Sequence, residues 1–230
     1  MLECRWDLNG SISVGGPVMA EAAKFAEAPL EPRQVVHIVE DDEQFRLSLL
    51  DLFQSLDIEA EGFEDADSFF QRASRAVSGC VLLDVRLPGV NGIEFQAKLS
   101  AHGFDLPVVF MTAHGDVATS VTAMKAGAVD FLQKPLRTPE LLEAIEAAFT
   151  VDRDQQQERS LRTEIKARAD SLTPRETQIF ALVASGLMNK QIAFDLGISE
   201  IMVKLHRGSV MRKMRAKSLA DLVRQYELIS

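Results

Sequence analysis

The chain has 230 residues, 47% of them apolar and 26% charged, with a formal net charge of −9; this is globular composition with room for one large domain or two ordinary ones. Its two cysteines, Cys4 and Cys80, are too few for a disulfide framework or a zinc ligand set. No run approaches 18 apolar residues and the N-terminus lacks the apolar core of a secretory signal, so no membrane span or export is expected and a cytoplasmic location follows. Charge is uneven: residues 161–230 carry 12 Lys and Arg against 7 Asp and Glu, a basic end on an acidic chain, as a polyanion partner would favour.

In chain order, residues 1–33 read as a mostly disordered tail. From Gln34 strand and helix alternate. QVVHIV leads into an amphipathic helix over 43–56, with Phe45, Leu49, Leu52, Phe53 and Leu56 at helical spacing. IEAEGF (58–63), a helix from Asp65 to about Arg75, the strand CVLLDV (80–85) and a helix from Gly92 to His102 follow. The last units are PVVFMT (107–112), a helix over Asp116–Ala126, AVDFLQ (128–133) and a helix opening at Thr138-Pro139. Five βα units predict a flavodoxin-like α/β domain over 34–150, with a five-stranded parallel sheet. Residues 151–170 are almost wholly polar and predict a helical linker, with Leu161 and Ile165 its main apolar members. Residues 171–230 predict a small all-α domain. Thr173 caps its first helix, with Glu176 three residues on and Gly186 as the stop; a second helix ends at Gly197, Ser199 caps a third to about Met214, and Ser218 caps the last. Two helices joined at DLGIS have the helix-turn-helix layout.

Polar residues stand where the apolar runs end: Glu40 and Asp41, Asp84, Thr112 and Lys134. In an open parallel sheet the carboxyl ends of strands converge on one crevice, where ligands bind. Adjacent carboxylates supply hard oxygens for Mg²⁺, and Asp84 is a natural nucleophile toward phosphorus. An ammonium and a hydroxyl suit the charge of a transferring phosphoryl group. His37, inside the first strand, reads as a satisfied core histidine, and Cys80 as an apolar filler.

The segments VHIVEDDEQFR, LLDVRLPGVNGIEF, VVFMTAHGDVATSVTAMKAGAVDFLQKP and LTPRETQIFALVASGLMNKQIAFDLGISEIMVKLHRGSVMRKM together resemble a two-component response regulator of the NarL/FixJ family, a receiver domain followed by a LuxR-type helix-turn-helix. The resemblance covers about residues 34–149 and 171–228. It implies Glu40 and Asp41 as the acidic pair, with Asp42 a neighbour, and Asp84 as phosphoacceptor. Thr112 becomes the switch hydroxyl, Phe131 the switch aromatic, Lys134 the site lysine, Lys134-Pro135 a cis bond, and the Arg86 backbone carbonyl a further Mg²⁺ ligand. His114 and Arg86 stand near the site. It also implies a sensor histidine kinase as phosphodonor, promoter DNA as target, homodimerisation on phosphorylation, RNA polymerase as a further partner, and no enzymatic activity on other substrates.

In a helix-turn-helix the second helix enters the major groove. Here that is the helix over 199–214, whose Val203, Val210 and Met214 should face the core. Lys204, Leu205, Arg207 and Gly208 then point away from it, flanked by His206 and Arg212. The resemblance places base contacts near Lys204, Leu205 and Gly208, with Gly208 permitting close approach or passing specificity to Arg207. Lys190, Lys213 and Arg215 are candidates for phosphate contacts, which position without specifying. The stripe Leu219, Leu222, Val223, Tyr226 and Ile229 reads as both core and dimer surface. Two alternatives are a phosphate sink whose helical domain no longer regulates promoters, and a phosphohydrolase with an aspartyl nucleophile; the latter expects a second Asp two residues beyond Asp84, where Arg86 stands.

Overall fold

The computed structural model describes residues 33–73, 78–87, 90–113, 124–125 and 127–230. Among them, β1 (Gln34–Val39), β2 (Ala60–Phe63), β3 (Ser78–Asp84), β6 (Val108–Thr112) and β7 (Asp130–Gln133) form one sheet, and β4 (Arg86–Leu87) pairs with β5 (Val90–Asn91) as a short hairpin. The sheet is parallel throughout, ordered β2-β1-β3-β6-β7, which is the flavodoxin-like arrangement. Burial on both faces explains the continuous apolar runs of β1, β3 and β6. Val39, Leu83 and Phe110 pack under α2 (Ala66–Arg72) and α3 (Gly92–Ala101). Ile38, Leu82 and Met111 face α1 (Glu43–Ser55) and the start of α4 (Thr138–Asp170).

The strand expected at Cys80 begins earlier, because Ser78 and Gly79 pair with Gln34 and Val35 of β1. Gly79 has φ +135°, and a Cβ there would lie 1.9 Å from the Val35 carbonyl oxygen, so only glycine fits. The helix expected over Asp116–Ala126 falls for the most part outside the described residues, as do His114 and residues 1–32.

The helix opening at Thr138-Pro139 does not stop where the composition changes. It runs 33 residues to Asp170, about 50 Å at the usual rise. Leu141, Ala144, Ile145, Ala148 and Phe149 bury one stripe against the sheet. Of the two apolar linker residues, Leu161 is 47% exposed whereas Ile165 is buried among the C-terminal helices.

Those helices are α5 (Pro174–Ala184), α6 (Asn189–Leu196), α7 (Glu200–Lys213) and α8 (Leu219–Ile229). Thr173 and Glu176 form a reciprocal capping box on α5, Gly197 ends α6 at φ +62°, and Ser199 and Ser218 cap α7 and α8. Val203, Val210 and Met214 are buried with Ile179, Phe180 and Ile192, so α7 turns its other face outward. On α8 the buried positions are Leu222 and Gln225, while Leu219 is exposed.

Candidate functional site

β1 and β3 lie side by side in the middle of the sheet, and the chain leaves β1 for β2 on the opposite flank. Their carboxyl ends therefore open the crevice at which ligands bind in such sheets. Glu40 follows β1 and is buried, Asp41 is exposed, and Asp84 closes β3 at 7% exposure. Oxygens of these three carboxylates lie within 4.8 Å of one another. Lys134, just past β7, reaches back across the crevice: its Nζ donates to Glu40 Oε2 at 2.7 Å and to Asp84 Oδ2 at 2.5 Å. The other oxygen of Asp84 accepts the Arg86 N–H at 2.8 Å. Thr112, the last residue of β6, is buried, and its carbonyl accepts the Lys134 N–H at 2.7 Å. The Lys134-Pro135 bond is cis. Phe131 stands on β7, half-buried, its ring centroid 6.4 Å from that of Phe110.

Burial raises the Glu40 carboxyl above its ordinary range; the Lys134 ammonium works against this and the Asp84 charge works with it. Burial also pulls Lys134 down, but the two carboxylates that bond it outweigh this and leave it raised. At neutral pH the crevice thus holds a protonated lysine beside its acidic side chains. The donor set is all oxygen, as a hard divalent cation requires, and the carboxylate–ammonium–hydroxyl set suits an incoming phosphoryl group.

Two regions match known families: residues 36–146 the "Response regulator receiver domain", and residues 170–226 the "Bacterial regulatory proteins, luxR family". The chain is 46% identical over 197 residues to Nodulation protein W of Bradyrhizobium diazoefficiens, covering 86% of this chain and 87% of that protein. It is 41% identical over 193 residues to the response regulator protein TodT of Pseudomonas putida, covering 84% and 85%. Among solved structures, the response regulator StyR matches at a TM-score of 0.69 and 42% identity, over 85% of this chain and 98% of that one. The chain belongs to the response regulators.

The helical domain of this response regulator presents its candidate DNA-contacting residues unequally. Lys190, Lys204, Leu205 and Gly208 are exposed on α6 and α7, and His206 is half-buried. A Cβ on Gly208 would meet nothing within 4 Å, so the fold itself does not require glycine there. Arg207 turns back to donate to the Asn189 side chain on α6. Lys213 is engaged inside the domain, donating to Glu176 Oε2 at 2.6 Å and to the Ser171 carbonyl at 3.2 Å. Glu176 is buried and also accepts the Ser209 hydroxyl at 2.6 Å. The Lys213 bond foremost, then Ser209 and the Thr173 N–H, hold its carboxyl down at about 2.

Three features of the response regulator escaped the sequence reading. Asp42, set aside as a neighbour of the acidic pair, caps α1 by accepting the Phe45 N–H at 3.0 Å; an Asp immediately before an amphipathic run was the available signal. His37 is buried, but neither ring nitrogen has a hydrogen-bond partner, and burial lowers it to about 4. Asp152, in the polar linker, is buried. Its Oδ2 accepts the Ser78 hydroxyl at 2.7 Å, the Gly79 N–H at 2.8 Å and the Gln156 side chain at 2.9 Å. Its position three residues past Phe149 extends the buried stripe of α4, a hint that the surrounding polar composition masked.

Proposed function

We propose that this response regulator accepts a phosphoryl group on Asp84 from a sensor histidine kinase and thereby changes how its C-terminal domain binds promoter DNA. The observation that carries the reading is the Lys134 ammonium bridging Glu40 and Asp84, with Asp41 beside them. The working units are a receiver over 34–150, a linker over 151–170 and a DNA-binding domain over 171–230. An Asp84 carboxylate oxygen attacks phosphorus, the P–N bond to the donor histidine breaks, and the electron pair leaves with the imidazole. Glu40, Asp41, Asp84 and the Arg86 carbonyl would hold Mg²⁺, which would offset the charge on the phosphoryl oxygens. Lys134 exchanges its Asp84 contact for a phosphoryl oxygen, and the Thr112 hydroxyl donates to another. Phe131 then turns inward, giving a local charge change a packed element to bias.

The phosphoryl group stays on the chain's own side chain, so the protein acts as a regulator and not as an enzyme on other substrates. Lys204, Leu205 and Gly208 face the bases, and His206 flanks them. Lys190 contacts phosphate; Arg207 and Lys213 serve DNA only by leaving Asn189 and Glu176. Phosphorylation favours a homodimer, for which exposed Leu219 on α8 supplies apolar surface, and a dimer matches two half-sites. RNA polymerase is the further partner, and the cytoplasm the compartment. Gel filtration and DNA-shift assays on the full chain, with Mg²⁺ and with or without beryllofluoride, test the switch. The expected result is tighter binding and a larger species with beryllofluoride; no change in either would refute it.

A further inference from the structure

Phe45 packs against the edge of the core and also reaches the site lysine. It begins the apolar stripe of α1, and the next members, Leu49 and Phe53, are 3% and 0% exposed. Phe45 is only half-buried, and its ring centroid lies 4.4 Å from Lys134 Nζ. The ammonium therefore touches two carboxylates and the ring of Phe45. A cation at that distance is attracted by the negative face of an aromatic quadrupole, and the attraction grows as the pair loses water. The Lys134 side chain is 16% exposed.

The backbone around Phe45 is fixed from both sides. Asp42 accepts its N–H at 3.0 Å, and the next side chain, Arg46, donates to the Glu40 carbonyl at 2.6 Å. The acidic run thus divides its work. Glu40 and Asp41 belong to the oxygen cluster, and Asp42 sets the first turn of α1 so that the ring meets the lysine.

We propose that Phe45 is a positioning residue for phosphoryl transfer, holding the Lys134 ammonium in the crevice while it exchanges its Asp84 contact for a phosphoryl oxygen. This rests on Asp84 being the phosphoacceptor. A ring face suits the task because it attracts the charge without occupying an N–H in one fixed direction, so the donors remain available to the arriving oxygens. Without it the ammonium depends on carboxylates whose charge is altered by the reaction itself. Loss of the ring contact slows transfer by roughly three- to tenfold, the range expected for a partly desolvated cation–π pair.

Phenylalanines fluorinated at one, two or three ring positions weaken the quadrupole with little change of shape, so incorporation at position 45 of the full chain isolates the effect. The maximal rate of Asp84 labelling by acetyl phosphate should fall stepwise with fluorine number, at unchanged half-saturating acetyl phosphate. Mg²⁺ affinity measured without a phosphodonor should not move. Phe45→Leu should match the triply fluorinated protein and Phe45→Trp the native one. Rates that stay level across the fluorine series, or Phe45→Leu and Phe45→Trp slowed alike, would overturn the proposal. If the native chain takes no label at all, the assignment of Asp84 falls, and this inference with it.

Discussion

Replacing Asp152 by alanine removes the acceptor on which Ser78, Gly79 and Gln156 converge at the amino-terminal edge of the sheet. Gln156 is half-buried and can turn to water, whereas the Ser78 hydroxyl is buried and can only rotate within the fold. The Gly79 N–H cannot, because its φ of +135° and the close Val35 carbonyl fix the peptide. One stranded buried donor costs about 1–3 kcal/mol, and partial loss at Ser78 brings the total to roughly 2–4 kcal/mol. That is a large share of the ~5–15 kcal/mol of a typical domain. Asp152→Asn keeps one carbonyl acceptor and should cost about 1 kcal/mol. Urea unfolding of the full chain followed by far-UV circular dichroism should show the transition of the α/β domain moved to lower urea in the order native, Asn, Ala. Hydrogen exchange at Gly79 should accelerate most in the alanine variant. An Asp152→Ala midpoint within the error of the native one, with Gly79 exchange unchanged, would refute the reasoning. The contact also ties linker to sheet: beyond Asp152 the same helix buries Ile165 among the C-terminal helices, so both domains grip one rod.

His37 titrates near 4 when folded and near 6.5 when free, so between those values the unfolded chain binds the extra proton. Stability is complete above pH 6.5 and falls as pH drops toward 4, by about 3 kcal/mol; urea midpoints against pH should show this slope, and His37→Leu should flatten it. Gly208→Ala adds a Cβ that meets nothing within 4 Å and should stabilise α7 by roughly 0.5–1 kcal/mol. If DNA approaches α7 at that point, the same variant should lose affinity although it melts later. Lys204→Gln should relax sequence preference at one base pair while leaving binding to non-specific DNA little changed. Lys213→Gln should instead destabilise the helical domain, since it strips the buried Glu176 of its 2.6 Å partner.

The parallel sheet was readable because each central strand is buried on both faces and so appears as an unbroken apolar run bounded by polar residues. The positions Glu40, Asp84, Thr112 and Lys134 were readable for a related reason, since topology alone brings strand ends together. Side-chain partnerships formed across long separations were not. Asp152 sits in DRDQQQ, where local composition says solvent, and only its register after Phe149 on α4 points inward. His37 was expected to be satisfied, and nothing local says that its neighbours would be Phe63 and Phe69, with ring centroids 6.0 and 5.9 Å away. Lys213 looked like a free cation at the end of a recognition helix, but its partner Glu176 arrives from α5. The helical character of 151–170 was legible in its Gln, Glu, Arg and Ala content, and α4 is indeed one helix through Asp170; what composition did not show is that Ile165 is buried among the C-terminal helices.

In the proposed function the crevice closed by Lys134 serves to place a phosphoryl group on Asp84. Incubating the full chain with a small phosphodonor and Mg²⁺, then locating the label by peptide mass spectrometry, tests it most directly. One acid-stable, base-labile phosphoryl group per chain is expected, on Asp84, absent from Asp84→Asn although that variant folds normally. A label that persists in Asp84→Asn, or maps to another residue in the native chain, would contradict it.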